Sequence, residues 1–407
     1  MTQSRPKVAA ITTVWRENSH ADVLIPKLLA GYDLDAKPVK PSIEVVSMYV
    51  DQVPENDLSR TWARRFDVPI FGSVREALTR GGGALDVDAV LIVGEHGEYP
   101  WNEKGQHLYP RRELFEQAIE VLRPAGRPLP IFNDKHLSYT WENARWMHDT
   151  ARKLGLPFMA GSSLPVTFRS PELEFPLGVE IEQALVLSHG PTESYGFHAL
   201  ETLQCMVERR GSGEVGVAAV ELLHGDAFWR AWEQGRFPQA LYDAALAVCG
   251  HQEGSAAAFF KDRPARGGAV PGPHPPVAFL VEYRDGLRAT LLNLAGYVLD
   301  FTFAARTRSE VVASAFKLER AAPRWHFNFL AHHIEQFFLT GREPYPIERT
   351  LLTTGTLAAL MEAGHAGHRL ETPHLAVQYQ SPAQPWARSN GTSLPPEQVW
   401  GFKPDEV

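Results

Sequence analysis

The chain has 407 residues, 44% hydrophobic and 22% charged, which is a globular composition too long for one ordinary core and favours two domains. Its formal net charge of -8 is dispersed without blocks of like charge, so a nucleic-acid surface or an anionic-membrane patch is not expected. Two cysteines are too few for a disulfide framework, no stretch reaches the roughly 18–20 apolar residues that span a bilayer, and the start has no signal-peptide pattern. The expectation is a cytoplasmic protein.

The first 165 residues alternate short β-like runs with helical periods, the signature of βαβ units and a parallel sheet. Residues 8–14 read as a strand, 21–30 as its helix, 43–50 as a second strand and 57–66 as a helix. Ser73 caps a helix over 73–80, and 89–93 is a buried strand. A helix over 111–122, a strand over 129–132, a helix over 139–154 and a strand over 157–160 complete the block.

From about residue 175 longer strands dominate. Strands are expected over 179–188 and 215–223, with helices over 197–210, 227–233 and 238–248. Residues 250–276, rich in Gly and Pro, read as a surface loop. Strands over 277–283 and 287–294 pair across Asp285-Gly286, and strands over 298–304 and 311–318 extend an antiparallel sheet. Helices over 327–339 and 351–363 follow, then a Pro-rich tail. The fold class is α/β: an N-terminal Rossmann-like, doubly wound parallel sheet and a C-terminal α+β domain with a large open antiparallel sheet. The expected divisions are 1–165, 166–370 and a surface tail over 371–407.

Three segments carry ionisable groups. Phe132-Asn133-Asp134-Lys135-His136 ends one strand of the parallel sheet, and Gly94-Glu95-His96-Gly97-Glu98-Tyr99-Pro100 ends another, so Glu95, His96, Asp134, Lys135 and His136 share the edge where open α/β sheets bind ligands. A partly desolvated lysine there lowers the pKa of a substrate hydroxyl and steadies a developing alkoxide. In the second half, Tyr195 and His198 precede Glu201, and a histidine is suited to take or give a proton near neutral pH. Imidazoles and carboxylates together also suit Zn²⁺ or Mn²⁺, but their spacing matches no closed metal motif, so a polar substrate pocket is preferred and no metal ligand is assigned. His20 and His189 read as structural, His332, His333, His365 and His368 as surface, and Trp141, Trp146 and Met147 as core or interface.

A Rossmann-like half, then an antiparallel α+β half, with a lysine after a late strand and a histidine opening a helix, resembles the Gfo/Idh/MocA family of glucose-fructose oxidoreductases and inositol dehydrogenases over nearly the whole chain. The family's Glu-Lys-Pro motif is matched by Asp134-Lys135-His136, where only the lysine carries over. Its Asp-x₃-His-x₂-Asp motif is matched by Ser194 to Glu201, which aligns His198. The resemblance implies an oxidoreductase on a sugar, cyclitol or related polyhydroxy compound, with Lys135 and His198 handling the proton and Glu95, His96, Asp134, His136, Tyr195 and Glu201 contacting substrate. It implies NAD or NADP held through Thr12, Thr13 and Asp51, and a homodimer or homotetramer formed by packing the antiparallel sheets. The glycine-rich dinucleotide fingerprint is replaced by Thr12-Thr13-Val14-Trp15-Arg16-Glu17, and the first glycine is Gly31. That departure keeps two alternatives open: a dinucleotide-independent lyase, hydrolase or epimerase on a carbohydrate-like substrate, or a silent ligand-binding or assembly subunit.

Overall fold

A computed structural model describes residues 4–261, 274–318, 324–383, 389 and 391–403. Strand β1 (Lys7–Val14) leads into α1 (His20–Ala30), a small hairpin β2 (Tyr32–Leu34) and β3 (Lys37–Val39), then β4 (Glu44–Gln52), α2 (Ser59–Phe66), β5 (Ile70–Phe71) and α3 (Val74–Thr79). The chain continues through β6 (Ala89–Val93), α4 (Arg111–Ala125), β7 (Ile131–Asp134), α5 (Trp141–Leu154) and β8 (Phe158–Gly161). Six of these strands form one sheet in the order β5-β4-β1-β6-β7-β8, parallel throughout. The order reverses between β1 and β6, so their carboxyl ends flank the switch-point crevice. The helices start where capping side chains allow: Ser19, Ser73 and Thr140 accept amides from the first turns of α1, α3 and α5.

The second half contributes β9 (Arg169–Ser170), β10 (Ile181–Ser188), α6 (Thr192–Val207), β11 (Val217–His224), α7 (Gly225–Glu233), α8 (Gln239–Ala247) and α9 (Ala256–Lys261). Then come β12 (Val277–Tyr283), β13 (Arg288–Asn293), β14 (Phe301–Thr307), β15 (Val311–Phe316), α10 (His326–Thr340), α11 (Ile347–Ala366), β16 (Leu370–Glu371) and α12 (Pro396–Trp400). Its sheet runs β16-β11-β12-β13-β10-β14-β15-β9 and is antiparallel except for the β10–β13 pair. The loop expected over 250–276 contains α9, and its Gly- and Pro-rich middle lies outside the described residues.

Side-chain alternation explains why both faces of this sheet are covered. Ala184 and Val186 of β10 pack with α6 and α11, whereas Leu185 and Leu187 turn to the other face and meet Phe228, Leu241, Tyr242 and Phe259 of α7, α8 and α9. Each such buried side chain contributes about 1.5–3 kcal/mol. On the face expected to pair subunits, this chain's own α7, α8 and α9 pack against the sheet.

Two later segments cross back to the first sheet. Leu330, Ile334 and Phe337 of α10 share a core with Val8, Leu24 and Phe132, and Trp400 and Phe402 of the tail pack on Trp62. The tail also touches the second domain, where Tyr379 pairs with Glu214. His332, expected at the surface, is half-buried with its Nδ1 3.1 Å from the Tyr32 phenol oxygen. Among the described residues no helix is long and apolar enough to cross a membrane. Cys205 and Cys249 are free and buried.

Candidate functional site

The site grows from the ends of β6 and β7. Lys135 follows β7 in the left-handed region (φ 62), and its amide donates to the Gly161 carbonyl at 3.1 Å. A Cβ on Gly161 would lie 2.9 Å from Glu201 Oε2 and from the Tyr345 phenol oxygen, so this close approach needs glycine. Lys135 Nζ donates to Glu95 Oε1 at 3.0 Å, just past β6. Glu95 Oε2 accepts from Arg111, the first residue of α4 and fully buried. Burial works to raise the Glu95 pKa, but the Lys135 ammonium and then the Arg111 guanidinium outweigh it and hold the carboxyl well below its usual range. Arg111 Nη1 also donates to His136 Nε2 at 3.1 Å. Burial, reinforced by Arg111, pushes His136 well down and keeps its imidazole neutral.

A second pair sits beside the first. His20, which opens α1, places Nδ1 2.6 Å from Oδ2 of the fully buried Asp134. An imidazole nitrogen facing a carboxylate carries the hydrogen, so the neutral ring presents Nε2 as its free acceptor. The His20 amide donates to His96 Nδ1 at 3.3 Å, and the two rings lie 5.4 Å apart. His96 is the other strand-end residue with positive φ (71°), and burial pushes its pKa down to about 3. Two non-glycine residues in this region store about 1–3 kcal/mol each, as strained backbone at functional sites does.

His198 comes from the second domain. It lies in the second turn of α6 instead of opening the helix, with its ring edge-on to Tyr195 at 5.7 Å and to Phe301 at 5.9 Å. Burial, then the charge of Lys135, pushes its pKa well below the usual value, so a neutral imidazole is set against the cation. Its Nδ1 is buried with no hydrogen-bond partner.

Glu95, His96, Asp134, Lys135, His136 and His198 thus converge, and Tyr195 supports the His198 ring. Glu201 does not join them: it is fully buried, with Oε2 accepting from the Ser162 amide at 3.2 Å and Oε1 from Thr353 at 3.1 Å. It braces β8 against α11, because α6 is buried on nearly every face and spacing along it does not select the cleft side. Burial raises its pKa to about 7.

Three residues were not selected by sequence. His20 read as structural, yet its position opening the helix after β1 put it at the switch point. Arg111 carried no signal beyond following Pro110. Glu193 is buried, accepts from the His107 amide at 2.9 Å, keeps Oε1 unpartnered 4.0 Å from His136 Nε2, and is raised by burial to about 7.

The expected dinucleotide contacts have other partners. Thr12 and Thr13 are fully buried, and their hydroxyls donate to the carbonyls of Val93 at 3.1 Å and Glu95 at 2.9 Å, stitching β1 to the end of β6. Asp51 accepts from the phenols of Tyr49 at 2.7 Å and Tyr99 at 2.6 Å. Among the described residues no group of three or more His, Cys, Asp or Glu side chains is placed to hold a metal ion.

No family model and no curated protein sequence matches the chain. Solved structures do. The apo scyllo-inositol dehydrogenase of Lactobacillus casei aligns over 91% of this chain and 99% of its own at 12% identity, TM-score 0.54. The myo-inositol 2-dehydrogenase of Lactobacillus plantarum aligns over 90% and 99% at 11% identity, TM-score 0.54. The myo-inositol dehydrogenase of Lactobacillus casei, solved with NAD(H) and myo-inositol, aligns over 90% and 96% at 12% identity, TM-score 0.53. At these identities the likeness is one of fold: the chain shares the fold of these inositol dehydrogenases.

Proposed function

We propose that this chain is an acid–base enzyme acting on a small polyhydroxy compound, a sugar, cyclitol or close derivative, bound between the ends of β6 and β7 and helix α6. The observation that carries this reading is the 2.6 Å contact of His20 Nδ1 with buried Asp134, beside the Lys135 ammonium. A carboxylate behind an imidazole fixes its tautomer and steadies the imidazolium that forms when Nε2 takes a proton. Lys135 has three N–H donors and commits one to Glu95, leaving donors for the substrate oxygen that becomes negative. The Glu95–Arg111 pair keeps that lysine positioned. His198, kept neutral and arriving from the other domain, is the second group able to exchange a proton.

The substrate class draws on a fold shared with dehydrogenases of myo- and scyllo-inositol. The test is a turnover screen on inositols, inososes, aldoses, ketoses and uronates, with wild type, Lys135→Met and His20→Asn. Both variants are expected to fold, by circular dichroism, and to lose turnover by a factor of about 10²–10⁴, the usual share of one acid–base group. If both keep wild-type turnover, the reading fails.

A further inference from the structure

A dinucleotide on a doubly wound sheet needs three handles. They are free main-chain amides at the first helix for the pyrophosphate, an acid after the second long strand for the ribose, and an open crevice between the strand ends for the nicotinamide. All three are present in this fold as positions, and all three carry contacts within the protein itself.

At the first, the turn from β1 to α1 has no glycine, and five of its amides between Arg16 and Asp22 are engaged. Arg16 donates to Ser19 Oγ at 3.2 Å, Ser19 to the Arg16 carbonyl at 2.9 Å, Asn18 to Asp22 Oδ2 at 2.9 Å, and Asp22 to Ser19 Oγ at 3.3 Å. The His20 amide is held by His96 at 3.3 Å. Asp22 thus sets a carboxyl group against the amide of Asn18, where a pyrophosphate would look for a donor. Trp15 is fully buried and bonded through Nε1 to Asp22 Oδ1 at 3.2 Å, so its ring is a fixed part of this corner. At the second, both Asp51 oxygens serve Tyr49 and Tyr99. Gln52 next to it clasps the main chain of Glu98, donating to its carbonyl at 2.9 Å and accepting its amide at 2.7 Å. The loop after β6 is thereby tied across the end of β4. At the third, the Thr12 and Thr13 hydroxyls are committed to the carbonyls of Val93 and Glu95.

We infer that this enzyme works without a nicotinamide dinucleotide, and that its reaction is redox-neutral and begins by removing a proton from a carbon next to a carbonyl of its polyhydroxy substrate. The C–H bond breaks and its proton goes to His20 Nε2. The electron pair forms the C=C bond of an enolate while the carbonyl pair moves onto oxygen, where Lys135 donates to it. No electron leaves the substrate. The His20 imidazolium then gives that proton either back to the carbon or to the neighbouring hydroxyl, which departs as water and leaves the dehydrated product; in both cases the ring ends neutral and the proton count closes. The choice of His20 and Lys135 rests on the reading above; the exclusion of the dinucleotide does not.

Two measurements on the full-length protein separate these parts. NAD⁺, NADH, NADP⁺ and NADPH, each to about 1 mM, an affinity scale of only about 4 kcal/mol, are titrated against tryptophan and nicotinamide fluorescence, and denatured protein is searched for nucleotide by mass spectrometry. No saturable change and no released nucleotide are expected; saturable binding of any of the four, or a stoichiometric nucleotide, overturns the inference. In D₂O without added nucleotide, an inosose, ketose and uronate panel is followed by proton NMR. Deuterium entering the carbon next to a carbonyl, and at least 100-fold slower entry in His20→Asn, is expected. Exchange that needs added dinucleotide, or no exchange in any member of the panel, overturns the proton step while leaving the binding result to stand alone.

Discussion

The carboxyl ends of β1 and β4 and those of β6 and β7 lie side by side on one sheet edge, and they are built for opposite purposes. At the first pair, polar groups bond to one another until little is left over: Thr12, Thr13, Asp51 and Gln52 all hold other parts of the chain. At the second, polar groups are buried in excess of their partners: Asp134 keeps one oxygen and His198 one nitrogen unbonded. Polar atoms satisfied by protein contribute rigidity, whereas buried atoms left without protein partners mark where a ligand supplies the missing bonds. The contrast supports placing the proposed chemistry at β6 and β7.

Substitutions at the two ends should therefore fail in different ways. The largest effect falls on the reactive side: Lys135→Met or Asp134→Asn lowers turnover by about 10²–10⁴ with little change in unfolding midpoint, read by steady-state kinetics beside urea denaturation. A loss of stability without loss of turnover would reverse the assignment. On the sealed side, Trp15→Ala removes a large buried ring stacked on Trp62 and costs about 3–5 kcal/mol in the same denaturation, while the purified protein keeps its turnover at low temperature. Turnover falling more than tenfold there would bring that corner into the site.

Glu201 gives a pH signature. Its folded pKa is raised by burial to about 7 from an ordinary value near 4.5, so the folded state holds a proton that the unfolded state releases. Stability from this group is present below about pH 4.5 and is lost as pH rises toward 7, by about 3 kcal/mol in all. Glu201→Gln removes that part of the slope, and an unchanged slope would show the carboxyl to be ionised in the fold. The smallest effect is at the clasp: Tyr99→Phe deletes one hydrogen bond to Asp51 and costs about 1 kcal/mol with turnover unchanged. A larger loss would mean that the loop after β6 positions Glu95 through this bond.

Much of the frame was legible because its strands are short apolar runs bounded by turn residues. Residues 89–93 and 277–283 match β6 and β12 to the residue. The charged strand ends were legible for the same reason, since an acid, an amine and an imidazole directly after a buried strand have one edge of the sheet to occupy. Pairings were not. His20 and Asp134 are 114 positions apart and meet only because β1 and β7 share the sheet with β6 between them. Arg111 reaches Glu95 because α4 starts beside the end of β6, a fact of loop geometry. Motif spacing singles out both His198 and Glu201; the structure sets His198 near the strand-end groups and Glu201 between β8 and α11, since a helix buried on nearly every side has no polar face to mark the cleft.

The central claim, that Asp134 holds His20 with Nε2 bare toward the cleft, is tested most directly by ¹⁵N-histidine NMR of wild type and Asp134→Asn near neutral pH. A neutral His20 is expected to show a protonated, strongly downfield Nδ1–H and an unprotonated Nε2, with the downfield proton lost in the variant. A His20 ring carrying its hydrogen on Nε2, or one indifferent to Asp134→Asn, would contradict the account.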